Sequence, residues 1–79
     1  MPTVVRNVKG YRFFFFSLDR SEPIHIHVSK GNGYAKFWLD PIELARSRNF
    51  RSHELEGKKR LVEENVEETE RRWHEHFGR

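Results

Sequence analysis

The stretch Glu22-Pro23-Ile24-His25-Ile26-His27-Val28 sets two imidazoles two residues apart in a run that alternates polar and apolar. On a strand that spacing turns both rings to one face, with their Cα atoms about 6.6 Å apart. Two chemistries fit the separation. The rings can converge on one metal ion, with a third ligand from Glu22, His74 or His76. Alternatively they straddle a phosphate, one as base toward a 2′-hydroxyl and the other as acid toward the leaving oxygen, with Lys36 or Arg12 stabilising charge. A third reading needs no chemistry, because a His-x-His on the polar side of an amphipathic strand is ordinary solvated surface. Lys36 and Trp38 beside the pair weigh toward function, since a cation, an aromatic ring and two histidines together are more than charge decoration.

The other histidines offer less. His74 and His76, in RRWHEHF, are two apart in a helical stretch and point about 200° from one another, so only one could join a shared site. His76 lies near the apolar stripe and reads as its rim, and His74 reads as solvated. Glu67 and Arg71, and Glu68 and Arg72, have the spacing of solvated helix-surface pairs. No phosphate-binding glycine loop, serine nucleophile elbow or glycosidase-like carboxylate pair occurs, so any enzymatic reading rests on His25 and His27.

The elements that must position this pair follow from pattern. Thr3 to Val8 and Arg12 to Ser17 read as a first hairpin about Lys9-Gly10, and Asp19 to Pro23 as polar loop. Ile24 to Ser29 and Tyr34 to Leu39 alternate cleanly around Gly31-Asn32-Gly33. With Asn32-Gly33 as a two-residue turn, Val28 faces Phe37, Ile26 faces Leu39, His27 faces Trp38 and Ser29 faces Lys36. One face is then dry, and the other carries His25, His27, Lys36 and Trp38. Asp40-Pro41-Ile42-Glu43 matches a helix start, with Asp40 as N-cap and Glu43 closing a capping box, for a short helix ending near Arg48. Ser52 caps a long second helix whose stripe is Leu55, Val62, Val66, Thr69, Trp73 and Phe77. Gly57 weakens its first turns by about 1 kcal/mol relative to alanine, which moves the expected start toward Lys58.

KGYRFFFF, from Lys9, admits two readings. Tyr11, Phe13 and Phe15 share one strand face while Arg12, Phe14 and Phe16 share the other. A strand apolar on both sides is usually central and covered twice, so core is favoured over a base-stacking platform. An RNA-recognition fold also needs a helix between its first two strands, and here the strands come first.

Seventy-nine residues make one small domain, 1–79, with a core that self-association or a partner would help stabilise. The absence of cysteine excludes disulfides and thiolate metal sites, and no signal peptide or membrane-length apolar run is found, so a cytoplasmic protein is expected. The net charge of +3 is uneven: residues 1–51 carry +5 and residues 52–79 carry −2. That layout suits an anionic ligand or acidic partner at the N-terminal part.

MPTVVR at Met1, GYRFFFFS at Gly10, EPIHIHV at Glu22, AKFWLDPIELA at Ala35 and WHEHFG at Trp73 together resemble, in order and spacing, a family of small prokaryotic proteins called domain of unknown function 4160. The resemblance covers nearly the whole chain. It implies a protein encoded beside another small protein, of the kind described as toxin–antitoxin components, with His25, His27, Lys36 and Trp38 in the family's hallmark segments. Ile24 departs from the proline that often precedes the first histidine, and HELEGKKRLV is more charged and glycine-broken than the usual helix.

The expectation is an α+β domain: an antiparallel sheet of three to four strands, then a short helix and a long C-terminal helix packed on one face. Its function would be that of a toxin–antitoxin component whose His/Lys/Trp face binds RNA or another anionic partner. In its sharpest form that face cleaves RNA without metal or cofactor, with His25, His27 and Lys36 catalytic and Arg12, Glu22 and Trp38 binding. The rivals are a non-catalytic module for a cognate small protein, and a metal-binding domain centred on His25 and His27.

Overall fold

A computed structural model describes residues 2–16 and 21–78, without the side chains of residues 2–6. The expected strand end at Ser17 and the first two residues of the Asp19 to Pro23 loop lie outside the described residues. Lys9 and Gly10 both take positive φ, 52° and 83°, the signature of a type I′ turn. They join β1 (Pro2–Val8) to β2 (Tyr11–Phe16), with Val8 opposite Tyr11. One extra residue of β1 between Val4 and Arg6 forms a bulge.

Beyond residue 20 come β3 (His25–Lys30), β4 (Gly33–Leu39) and β5 (Ile42–Arg48), and all five strands form one antiparallel sheet in sequence order. Two helices follow, α1 (Ser52–Glu64) and α2 (Val66–Phe77), and α1 lies on β4 and β5. The α+β class with helices last is as expected; the sheet has one strand more than the upper expectation.

That strand is the segment expected to be a short helix. Asp40 and Pro41, joined by a cis peptide bond, make a two-residue turn that leaves Leu39 directly opposite Ile42. Cis-proline at the third turn position is the type VI geometry, and it returns the chain antiparallel where a helix cap would have carried it away. Glu43 therefore lies opposite Trp38 instead of closing a capping box. Ala45 is the extra residue of a second bulge, so Arg46 faces Lys36 and Arg48 faces Tyr34.

The β3–β4 register differs from expectation by two residues. Gly31, at φ 57°, and Asn32 form the turn, and Lys30 pairs with Gly33. Positive φ at the first central residue alone fits a type II′ turn. Gly33 is needed for another reason: the ring of Phe50 occupies the space its Cβ would take. A two-residue shift keeps every side chain on its face, so Ile26 pairs with Phe37, Val28 with Ala35, His27 with Lys36 and His25 with Trp38.

The core lies between sheet and helices. Phe13, Phe15, Ile26, Val28, Ala35, Phe37 and Leu39 meet Leu61, Val62 and Trp73 there. The expected stripe holds, with Val62, Thr69 and Trp73 buried and Leu55, Val66 and Phe77 partly so. The helix nevertheless begins at Ser52 and runs through Gly57, and its capping differs from expectation: the Arg51 backbone N–H donates to the Glu54 carboxylate at 2.9 Å. Asn65 divides the expected single helix. Its amide Nδ2 donates to the Leu61 carbonyl at 2.8 Å, while its own carbonyl accepts from both the backbone and the hydroxyl of Thr69. Asparagine side chains that compete for backbone groups interrupt helices in this way.

Candidate functional site

The histidine pair is internal. His25 is fully buried and His27 is 3% exposed. The His25 Nδ1–H donates to the Pro23 carbonyl at 2.8 Å, which fixes that tautomer because the carbonyl can only accept. The ring meets Trp38 and Trp73 edge-on, at 5.5 and 5.2 Å between centroids. It also meets His27 at 5.0 Å and nearly perpendicular.

Trp73 reaches this side of the sheet because the β2–β3 ladder ends at the Phe14–His27 pair. Beyond that pair Trp73 touches both Phe15, at 5.5 Å, and His25. The core thus continues through the end of the sheet.

His27 is the centre of a stack. Its ring lies nearly parallel to Phe14 at 5.2 Å and to Tyr34 at 5.7 Å, and Phe16 meets it edge-on at 5.1 Å. Its Nδ1 and the Tyr34 hydroxyl share a hydrogen bond of 2.7 Å. The outer rings of the stack each carry a guanidinium: Arg12 lies 5.3 Å from the Phe14 centroid and Arg48 lies 5.7 Å from that of Tyr34. Cation, three rings and cation thus cross four adjacent strands, β2 to β5.

Lys36 is 7% exposed, its Nζ donating to Glu22 at 2.6 Å and lying 4.5 Å over the Trp38 ring. Glu22, His25, His27, Lys36 and Trp38 therefore form one cluster, with Arg12 one step away over Phe14. His76 is exposed against Phe15 and Phe77, at 5.1 and 4.7 Å, and His74 is exposed beside the cleft formed with Glu22 and Trp73. Among the described residues no three His, Asp or Glu side chains come together as a metal site would require.

Three residues of this face, Tyr34, Arg46 and Arg48, were not anticipated as part of it. With Phe16 and Ser47 they line a groove of about 390 Å³. Arg46 and Arg48 were hidden by the helical reading of β5; read as strand, they fall on the face of Lys36 and Tyr34. Among the described residues no carboxylate lies within ion-pair distance of Arg12, Arg46 or Arg48. By contrast α2 pairs its arginines with its own carboxylates. Arg71 and Arg72 both bond Glu68 and hold its carboxyl below the ordinary value, and the Arg51 N–H does the same for Glu54.

No helix among the described residues is long and apolar enough to cross a membrane. The chain has no match among curated proteins and none among solved structures. A family profile does match it, over residues 10–74, which spans the aromatic strand, both histidines, β4, β5 and most of the helices. The chain belongs to the family described as Domain of unknown function (DUF4160).

Proposed function

We propose that the chain is a non-catalytic RNA-binding component of a toxin–antitoxin-type pair, and that RNA lies on the sheet face opposite the helices. One contrast carries the reading: both imidazoles are buried and hydrogen-bonded inward, while Arg12 and Arg48 stand exposed beside aromatic rings and Arg46 stands exposed at the groove lined by Phe16 and Tyr34. A general acid or base must come within hydrogen-bond reach of its substrate proton, and rings with 0% and 3% exposure are poorly placed for it. Cations beside π-faces are the usual means of holding a single strand without reading much sequence. A cognate small protein that covers this face belongs to the same reading as its regulator.

The test is anisotropy of a labelled single-stranded RNA titrated with the purified chain at two salt concentrations. Three arginine–phosphate contacts give a log–log salt slope of about −2, so affinity falls about twentyfold from 50 to 200 mM salt. Absence of binding at low salt overturns the proposal. Cleavage of the RNA that disappears on His27→Phe overturns its non-catalytic part.

A further inference from the structure

We infer that the groove between Phe16 and Tyr34 seats one unstacked nucleotide of a single strand, with its base on the Phe16 ring and its phosphate held by Arg46 and Arg48. This rests on the RNA-binding reading and adds where, and in what conformation, the strand is gripped.

Size, chemistry and order support the seat. A groove of about 390 Å³ falls within the range of small-ligand sites, about 300–1,000 Å³. Its lining holds residue types that a nucleotide needs: two aromatic residues, Phe16 and Tyr34, and two arginines, Arg46 and Arg48. Phe16 is 39% exposed, which is unusual for a phenylalanine next to a fully buried core, and its ring is braced by edge contacts with Phe14 and His27. Arg46 and Arg48, on the same face of β5, both line this groove, which places two cationic residues beside one seat.

The far wall is organised in advance. Tyr34 is stacked on His27, and its hydroxyl is tied to that ring. The wall cannot rotate away without breaking a partly buried hydrogen bond, so little ordering remains to be done on binding. A duplex would keep its bases within its own stack and offer the groove only phosphates and sugars, so a stacking seat discriminates in favour of single strands.

The experiment uses the full chain with a labelled octa-uridine, a hairpin duplex of equal charge, and poly-glutamate as competitor. Phe16→Ala is expected to weaken octa-uridine binding tenfold or more, a typical loss for one base stack, without changing the salt slope. Phe16→Leu keeps apolar bulk but no π-face and is expected to fall with it, measured at a temperature where circular dichroism shows the variant fully folded. Arg46→Ala is expected to flatten the slope by about 0.7. Unchanged octa-uridine affinity in both Phe16 variants overturns the seat while leaving RNA binding intact. Equal affinity for the hairpin also overturns it, as does displacement by poly-glutamate as effective as by unlabelled RNA of equal charge, which would point to an acidic protein. Absence of any RNA binding by the parent chain removes the underlying reading as well.

Discussion

His27 is the residue at which a structural and a catalytic role diverge most measurably. Truncation to alanine removes near-parallel ring contacts with Phe14 and Tyr34, edge contacts with Phe16 and His25, and the hydrogen bond to Tyr34. At about 1 kcal/mol for each near-parallel pair and about 1 kcal/mol for the hydrogen bond, losing these three costs about 3 kcal/mol. In a chain of 79 residues that lowers the thermal midpoint by about 12–24 °C. His27→Phe restores the stack and gives up the hydrogen bond to Tyr34, for about 1 kcal/mol. Urea unfolding followed by tryptophan fluorescence suits the measurement, because Trp38 and Trp73 both contact the neighbouring His25 ring. The expected order of stability is parent, then phenylalanine, then alanine. An alanine variant as stable as the parent, or a phenylalanine variant as damaged as alanine, would refute the stack as the reason for this histidine.

Gly33→Ala should destabilise by about 1–3 kcal/mol in the same assay, because its methyl group meets the Phe50 ring, whereas Gly57→Ala, in open helical surface, should stabilise by about 1 kcal/mol. Lys58 is 3% exposed, with its Nζ 4.4 Å from the Tyr11 centroid and 4.2 Å from that of Phe50. Lys58→Met keeps the stem and should cost about 1–2 kcal/mol, while Lys58→Ala, which also empties the cleft, should cost about 2–3 kcal/mol. Glu54 is held below its ordinary value first by the Arg51 backbone N–H, so its stabilisation is present above the unfolded carboxylate pKa and lost as pH falls through the folded one. Glu54→Gln should therefore melt below the parent at neutral pH, and the gap should close on acidification past the carboxylate range; a gap independent of pH would refute the capping role.

Where local pattern and global contact agree, the sequence is legible. The period-two alternation of β3 and β4 assigns every side chain to its observed face, and the three- and four-residue stripe finds Val62, Thr69 and Trp73. The register required knowing which glycine of Gly31-Asn32-Gly33 must lack a Cβ, and that is decided by Phe50, seventeen residues after Gly33. Asp40-Pro41-Ile42-Glu43 satisfies every local rule for a helix start, and the bulge at Ala45 breaks the alternation that would have argued for a strand. Lys58 falls within the apolar stripe, three after Leu55 and four before Val62, but charge hid it; the rings of Tyr11 and Phe50 flank its ammonium group and make it internal. The candidate cluster of Glu22, His25, His27, Lys36 and Trp38 was visible as a set of neighbours. Its burial was not, because nothing local says that Trp73 of α2 reaches around the end of the sheet.

The choice of histidine over phenylalanine at positions 25 and 27 has a physical logic that does not need catalysis. A purely apolar ring fills space but leaves its orientation to packing alone; a buried imidazole must also satisfy a polar atom, and that requirement is directional. His25 meets it at the Pro23 carbonyl, fastening the chain where it enters β3, and His27 meets it at the Tyr34 hydroxyl, fastening one wall of the groove. Through Trp73 the first ring also links α2 to the opposite face of the sheet. Trp73→Phe should therefore act at a distance, lowering stability by leaving a cavity beside His25 and also weakening octa-uridine binding, although α2 contributes no residue to the groove. A Trp73→Phe chain that is less stable yet binds octa-uridine as well as the parent would mean that the two faces are coupled by packing but not in function.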